Sequence, residues 1–302
     1  LILNAGDVTG GDIIFKTDNT TRLTVDNNSR ISLTNNDAGG TGGSDGTSAN
    51  TIFGYLAGED IVDTGVDNTY FGHKAGSNNA TGDDNTFVGS NAGKGSHGNS
   101  HTSNVGVGSD ALLAVSTGSY NAVMGNAAAK AMTDGHNNVA IGNQALMTST
   151  SAGICVAIGD DAMKNGNVTS AADGAVAIGG SALLALTSGA GNTAVGNQAG
   201  ATINTGGQNT MIGAYAGDAT DDGAQNTALG YLALSANCGD ANTAIGRACL
   251  SQATGGANTA MGQSAGGAVT SGSNNLLLGQ DAGLAGSPGG AISSGSNEIV
   301  LG

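Results

Sequence analysis

The sequence predicts an all-β solenoid, a rod built from stacked coils of one repeat, and two observations carry this prediction. The first is a motif of about seventeen residues, Asn-Thr-x-Φ-Gly-x-x-Ala-Gly with Φ a large apolar residue. It recurs from NTIFGYLAG at 50–58 to NTAMGQSAG at 258–266. The second is that Gly, Asn and Thr are too abundant for helices, while the apolar residues stay in phase with the motif. So short a period indicates stacked units, each too small to bury a core alone.

One glycine recurs in every repeat; we call it the anchor glycine and number it as position 0 of its coil. The fifteen anchors are Gly54, Gly72, Gly89, Gly108, Gly125, Gly142, Gly159, Gly179, Gly196, Gly213, Gly230, Gly246, Gly262, Gly279 and Gly302. They predict a parallel β-roll of about fifteen coils over residues 50–302. At about 4.8 Å per coil, the rod is expected to be roughly 70 Å long.

Position −1 is always large and apolar, and we expect it to face the coil interior, because side chains alternate along a strand. The predicted core residues at this position include Ile141, Ile158, Ile178, Val195, Ile212, Leu229 and Ile245. Ala recurs at position +3 and is expected to pack opposite them. Gly recurs at position −7 and predicts a second tight turn with positive φ, and hence two short strands per coil.

Position −2 points the other way, and none of its fifteen occupants is charged. An isolated rod is expected to expose polar residues there, so an uncovered apolar stripe predicts an intersubunit seam. The predicted seam includes Phe87, Val123, Met211 and Leu277. The alternative is Ala tolerated at the surface, which accounts for the seven Ala occupants but not for the large ones.

Position −4 is Asn in twelve of the fifteen coils, which predicts a ladder of stacked amides along the rod. The expected role is structural, with each Asn capping a turn and satisfying backbone groups. A catalytic role is disfavoured, because one active site does not require a dozen copies.

The chain divides into three segments: a short β-strand module at 1–34, a Gly/Ser/Asn-rich connector at 35–49, and the repeats at 50–302. In the module, apolar residues at 13–15, 23–25 and 31–33 predict three strands separated by polar turns. The chain does not begin with Met, and we expect it to be part of a longer chain.

Charge and composition exclude several classes of partner. The net charge is −15 and the eight basic residues are scattered singly, which argues against nucleic acid and anionic membrane surfaces. No apolar run reaches the length of a membrane span, so no membrane insertion is expected. Cys155, Cys238 and Cys249 lack metal-ligand spacing; Cys155 and Cys249 replace small repeat residues and are expected to serve as packing residues.

No convincing catalytic or cofactor site is predicted, and we expect the protein not to be an enzyme. His97 and His101 share a widened loop and are weak candidates for a metal site at an oligomer axis, because loop histidines at this spacing have no fixed geometry. The acidic pairs, such as Asp160–Asp161, lie at different repeat positions and are expected to be solvated.

Two resemblances follow from these motifs. The core in NNVAIGNQAL and VAIGDDAM resembles the head repeat of trimeric autotransporter adhesins of the YadA type. The segment GDIIFKTDNTTRLTVDNNSRISL resembles the short β module that precedes such repeats in phage tail fibres, and SNEIVLG resembles the point where those fibres pass into a self-cleaving chaperone region. The resemblance implies a left-handed β-roll in a homotrimer, used for attachment to a surface. The period here is nearer seventeen residues than the fourteen typical of adhesin heads.

The leading hypothesis is therefore the shaft of a trimeric phage tail fibre that binds a host cell-surface receptor or glycan, located in the virion. The alternative is a bacterial trimeric autotransporter-type adhesin or extracellular filament. A secreted carbohydrate-active β-solenoid enzyme is disfavoured by the narrow coil and the few aromatic residues. An ice-binding solenoid is disfavoured because Thr at −3 shares a face with position −1, which is predicted to be buried.

Overall fold

A computed structural model describes residues 13–17, 20–25, 31–32, 49–62 and 64–302. Near the start of the chain, β1 (Ile13–Thr17), β2 (Thr20–Val25) and β3 (Ile31–Ser32) form an antiparallel sheet in the order β1-β2-β3. The three strands expected from the sequence are therefore present. The connector predicted at 35–49 lies outside the described residues, apart from Ala49.

The repeats form one parallel sheet of fifteen strands in sequence order, and this confirms the β-solenoid. Each strand occupies positions −3 to −1 and pairs in register with the strands of the adjacent coils, as Thr193 does with Thr210. The strands are β4 (Thr51–Phe53), β5 (Thr69–Phe71), β6 (Thr86–Val88), β7 (Val105–Val107), β8 (Ala122–Met124), β9 (Val139–Ile141), β10 (Val156–Ile158), β11 (Val176–Ile178), β12 (Thr193–Val195), β13 (Thr210–Ile212), β14 (Thr227–Leu229), β15 (Thr243–Ile245), β16 (Thr259–Met261), β17 (Leu276–Leu278) and β18 (Ile299–Leu301).

The remainder of each described coil is built from turns, so the prediction of two strands per coil is wrong. The one helical element in the described coils is a 3₁₀ turn at Ser170–Ala172, in the coil that is widened to twenty residues between Gly159 and Gly179. Extra residues therefore enter a coil through its turns and leave the sheet intact.

The anchor glycine is required by both backbone conformation and stacking. Gly142 has φ 136°, and a Cβ there would lie 2.3 Å from the carbonyl oxygen of Gly159 in the next coil. The glycines at −7 were expected to use positive φ, but they do not. At Gly189 a Cβ would lie 2.1 Å from the Gly206 carbonyl oxygen, so close approach of backbones explains this second glycine.

The coil interior is formed by position −2, so the predicted assignment of the two strand faces is wrong. The expected seam residues Phe87, Met211 and Leu277 are completely buried and Val123 is 2% exposed. The expected core residues lie on the outside: Ile141, Ile178, Ile212 and Leu229 are exposed, whereas Ile158, Val195 and Ile245 are half-buried. The expectation for position +3 is confirmed, since Ala145, Ala162, Ala199 and Ala216 are fully buried.

The thin interior explains why the faces are reversed, because the side chains at −2 and +4 share one space inside the coil. Where position −2 is large, position +4 is often Gly: a Cβ at Gly217 would lie 2.5 Å from Sδ of Met211. Where position −2 is Ala, position +4 is often large, as with Ala228 and Leu234. The bulky residues at −1 cannot all share this space and therefore point outward. Large-and-Gly pairs are Tyr70–Gly76, Phe87–Gly93, Met211–Gly217 and Leu277–Gly283; Ala-and-large pairs are Ala140–Leu146, Ala157–Met163, Ala177–Leu183, Ala228–Leu234 and Ala244–Leu250.

The predicted amide ladder is confirmed. Oδ1 of Asn104 accepts hydrogen bonds from the backbone N–H of Asn121 at 3.0 Å and from its Nδ2 at 3.0 Å. Nδ2 of Asn121 also donates to the Gly135 carbonyl oxygen at 2.8 Å. All twelve Asn side chains at −4 are buried, and the column is interrupted by Cys155 and Ala175. The ladder satisfies backbone groups that the narrow turn leaves without sheet partners.

The complementarity of positions −2 and +4 predicts a compensating pair of substitutions. Met211→Ala is expected to cost about 2–5 kcal/mol through the cavity it leaves, and Gly217→Leu is expected to destabilise by collision with Met211. The double variant copies the Ala228–Leu234 arrangement of the next coil and should recover much of the stability. Denaturant unfolding of the wild type, the two single variants and the double variant checks this. A double variant that loses as much unfolding free energy as the two single variants together would contradict it.

The ladder predicts unequal costs for two equivalent asparagines. Oδ1 of each residue accepts bonds from the next Asn in the ladder, Asn138 for Asn121 and Asn242 for Asn226. Nδ2 of Asn121 also donates hydrogen bonds, whereas Nδ2 of Asn226 has no hydrogen-bond partner in the described structure. Asn121→Ala should therefore lower the free energy of unfolding by about 1–3 kcal/mol, and Asn226→Ala by clearly less. Parallel thermal and denaturant unfolding of the two variants provides the measurement; equal losses would count against the Nδ2 donor bonds as a source of stability.

Candidate functional site: the outer stripe

The outward-pointing side chains of the fifteen strands form one continuous surface, which we call the outer stripe. It consists of a column at position −3 and a parallel column at −1. The −3 column is Thr51, Thr69, Thr86, Val105, Ala122, Val139, Val156, Val176, Thr193, Thr210, Thr227, Thr243, Thr259, Leu276 and Ile299. The −1 column is Phe53, Phe71, Val88, Val107, Met124, Ile141, Ile158, Ile178, Val195, Ile212, Leu229, Ile245, Met261, Leu278 and Leu301.

The large residues of the −1 column are unusually exposed for apolar side chains. Phe53 and Phe71 are each 54% exposed, Met124 53% and Met261 50%. At the first two coils the exposed rings stack along the rod: Phe53 and Phe71 have centroids 5.1 Å apart with an interplanar angle of 12°. Beside them, Tyr55 and His73 stack at 5.8 Å with an interplanar angle of 1°. The stripe therefore begins with an aromatic block.

Two mostly polar columns border the outer stripe. On one side, position +1 is occupied mainly by exposed polar residues such as Asn126, Asn143 and Gln263. On the other side, position −5 carries residues such as Asp84 and Gln208 in the left-handed backbone region, each with φ 60°. An apolar centre with a polar rim is the composition of a protein–protein contact surface.

The size of the outer stripe also fits a protein contact. Fifteen strands at about 4.8 Å give a length of roughly 70 Å, and positions −3 to −1 give a width of roughly 10 Å. The resulting area, on the order of 700 Å², approaches the ~800 Å² that each partner contributes to a standard interface.

The two histidines predicted as weak metal candidates lie in different environments. The His97 side chain is 85% exposed and pairs with the Asp60 carboxylate. His101 is completely buried inside its coil, with its ring edge-on to Phe87 at a centroid distance of 5.4 Å. Across the described residues, no group of three or more His, Cys, Asp or Glu side chains is arranged to hold a metal ion.

His101 stands at position −7, where most coils have Gly, and its burial has an electrostatic consequence. Neither ring nitrogen has a hydrogen-bond partner among the described residues. Burial lowers the pKa of His101 from 6.5 to about 4, because the apolar interior disfavours the imidazolium. The ring is therefore neutral at pH 7 and acts as a packing group.

Three lysines that are far apart in the sequence form one column at position +5. Lys94, Lys130 and Lys164 belong to alternate coils, because their spacings of 36 and 34 residues are about twice the period. Lys130 pairs with Asp110 at 3.0 Å, and this hydrogen-bonded lysine lowers the pKa of the Asp110 carboxyl. Lys164 pairs with Asp161 at 3.1 Å. Two of the three charges are thus compensated locally.

The cysteines are free and buried, in agreement with a packing role for Cys155 and Cys249. Burial raises the pKa of the Cys249 thiol to about 11 and also raises the pKa values of Cys155 and Cys238. A thiol with a raised pKa is a poor nucleophile near neutral pH.

The sequence-based prediction exchanges the two faces of the strand, although two signals in the sequence identify the outward face. The alternation of large residues between −2 and +4 shows that both positions share one interior. The buried Asn at −4 points to the same side as −2, because side chains two residues apart in a strand share a face. Both patterns leave −3 and −1 on the outside.

No protein-family model matches this chain, and no curated protein matches it. No helix in the described part of the chain is long and apolar enough to cross a membrane.

Burial of His101 predicts a specific loss of stability in acid. Its folded pKa of about 4 lies below the unfolded value of 6.5, so the unfolded chain binds the extra proton between these pH values. Stability should therefore be complete above pH 6.5 and fall as the pH drops towards 4. Comparing unfolding midpoints at pH 7 and pH 4.5 tests this: His101→Leu should reduce the difference, whereas His136→Leu, at an exposed site, should not. An unchanged difference in His101→Leu would contradict the assignment.

Proposed function

We propose that this chain is the shaft of a homo-oligomeric attachment fibre, in which copies pack side by side along their outer stripes. The observation that carries the proposal is the −1 column of the outer stripe, which places an outward-pointing apolar side chain on every one of the fifteen strands. In a single chain, this column leaves one face of a parallel β-sheet exposed to water, whereas parallel sheets are normally covered on both faces. Packing against copies of the same chain covers it along the whole length of the rod.

The number of copies and the setting of the fibre come from the resemblance to adhesin heads and phage fibres. We propose a homotrimer, as part of a phage tail fibre that binds a host cell-surface receptor or glycan; a bacterial surface adhesin is the alternative. A trimer carries a net charge of about −45, three times the −15 of one chain. This charge keeps neighbouring rods apart, while the seam itself is uncharged. The proposed role is structural and not enzymatic.

A second candidate function gains support from the corrected faces. Thr193, Thr210, Thr227, Thr243 and Thr259 form a regular outward column, so the reason for disfavouring an ice-binding solenoid no longer applies. The neighbouring −1 column contains Leu229 and Met261, whose protruding side chains interrupt the flat surface that ice requires. We therefore rank self-association above ice binding.

Adjacent residues on opposite faces of one strand allow a direct test. Ile212→Lys places a charge on the outer stripe and should shift the protein from the oligomer towards smaller species in sedimentation velocity runs at micromolar concentration. Met211→Lys buries an unpaired charge inside the coil and should destroy the β-sheet signal in circular dichroism. Asn197→Lys adds the same charge in the exposed +1 column and should change neither measurement.

Wild-type protein that sediments as a folded monomer at all concentrations would refute the fibre shaft. If that monomer also produced thermal hysteresis in a freezing assay, ice binding would replace the fibre shaft as the proposed function. If an Ile212→Lys oligomer were as stable as the wild-type oligomer, the seam would lie elsewhere on the rod.

A further inference from the structure

We propose that the turn at 165–175, in the coil that ends at Gly179, is a flap that opens locally while the β-sheet of the rod stays closed. The flap leads into β11, and its opening exposes the buried side chain of Cys155 in the preceding coil. This inference does not depend on the proposed function, because it concerns bonds within a single chain.

The asparagine ladder is interrupted at the flap. Where the ladder is intact, the backbone N–H at position −4 donates to the Asn one coil earlier, as Asn209 donates to Oδ1 of Asn192 at 2.9 Å. Position −4 is Cys155 in the coil before the flap and Ala175 in the flap, and neither side chain has an amide oxygen.

The interruption leaves two buried donors unpaired. The N–H groups of Ala175 and Asn192 have no hydrogen-bond partner among the described residues, although both residues are completely buried. A buried N–H without a partner is unfavourable, because it has lost its water and gained nothing in exchange. The closed flap is therefore held less firmly than the equivalent turn of other coils.

The bond below the flap is also weaker than its counterpart elsewhere. Sγ of Cys155 lies 3.7 Å from the carbonyl oxygen of Ala172, and a thiol is a weak donor. One coil earlier, Nδ2 of Asn138 donates to the equivalent carbonyl oxygen of Ala152 at 2.7 Å. The flap thus lacks strong ladder bonds to both of its neighbours.

The sheet continues without interruption beside the flap. Val156 pairs with Val176, and Val176 pairs with Thr193, in the same register as in the rest of the rod. Segments with few hydrogen bonds open at a lower free-energy cost than the elements they adjoin. The flap can therefore open while β10, β11 and β12 remain paired.

Added length alone does not produce this arrangement. The coil that ends at Gly108 is also widened, to nineteen residues, yet its ladder is complete. The N–H of Asn104 donates to Oδ1 of Asn85 at 3.0 Å, and Oδ1 of Asn104 accepts from the N–H of Asn121 at 3.0 Å. The weak level follows from the residues at −4 and not from the length of the turn.

The three natural cysteines report local opening, because all are buried and free. Cys155 lies beside the flap, whereas Cys238 and Cys249 lie where the ladder is continuous. Folded protein is treated with iodoacetamide, and peptide mass mapping gives the alkylation rate of each thiol relative to its rate in the unfolded chain. Cys155 should react at least about tenfold faster than the other two. Its rate should depend weakly on low urea concentrations, since a local opening exposes little surface, whereas the other rates should rise steeply.

Restoring the ladder should close the flap. Ala175→Asn supplies an acceptor for the N–H of Asn192 and should slow the alkylation of Cys155 several-fold. Ala171→Asn adds the same side chain at an exposed site of the flap and should leave the rate unchanged.

Moving the interruption should move the fast thiol. Asn226→Ala combined with Asn242→Ala removes the acceptors for the N–H groups at positions 242 and 258. Cys238 lies in the turn that leads to position 242, so its alkylation should accelerate several-fold and become weakly dependent on urea. This protein decides the matter if Ala175→Asn does not fold.

The outcomes are distinct. Alkylation of Cys155 at the rate of the other two thiols, or with the same dependence on urea, would refute the flap. A Cys155 that stays fast in Ala175→Asn, or a Cys238 that stays slow after the interruption is moved, would show that the ladder does not control opening and would overturn the inference. Neither result affects the fibre shaft, which sedimentation tests.

Discussion

Every other feature of this rod depends on the close stacking of one coil on the next at the anchor glycine. At Gly142 there is no space for a Cβ beneath the carbonyl of the following coil, and the backbone has a φ that only glycine adopts without strain. This contact holds successive strands in register. Equivalent residues then lie directly above one another, which allows the buried asparagines to form a ladder and the exposed residues to form straight columns.

The second constraint is the narrow interior, and it decides what the outside looks like. The space shared by positions −2 and +4 is filled by Met211 in one coil and by Leu234 in the next. The large residues at −1 point away from this space. The solenoid therefore exposes many large apolar residues that a compact domain would bury.

The period, the all-β class and the asparagine ladder could be predicted from the sequence, because they depend on spacing and residue type alone. The direction of each side chain could not be read from hydrophobicity, because Ile212 and its neighbour Met211 are both large and apolar. The large size of the −1 residues predicts burial, and this prediction is wrong by one residue, which in a strand exchanges the two faces. The environments of His97 and His101 could not be predicted from the sequence either. The two residues lie only four positions apart in one turn, yet the His97 ring is exposed and the His101 ring is buried.

The widened coils have a consequence for how such rods can diversify. The coils that end at Gly108, Gly179 and Gly302 have nineteen, twenty and twenty-three residues. Even so, Val88 still pairs with Val107, Ile158 with Ile178 and Leu278 with Leu301. Added length enters on the side of the coil away from the sheet and changes the girth of the rod, not its pitch. Loops of new sequence can therefore be displayed at chosen heights along the rod, while the outer stripe remains unaltered. The turns and the outer stripe are thus open to independent variation in one short repeat.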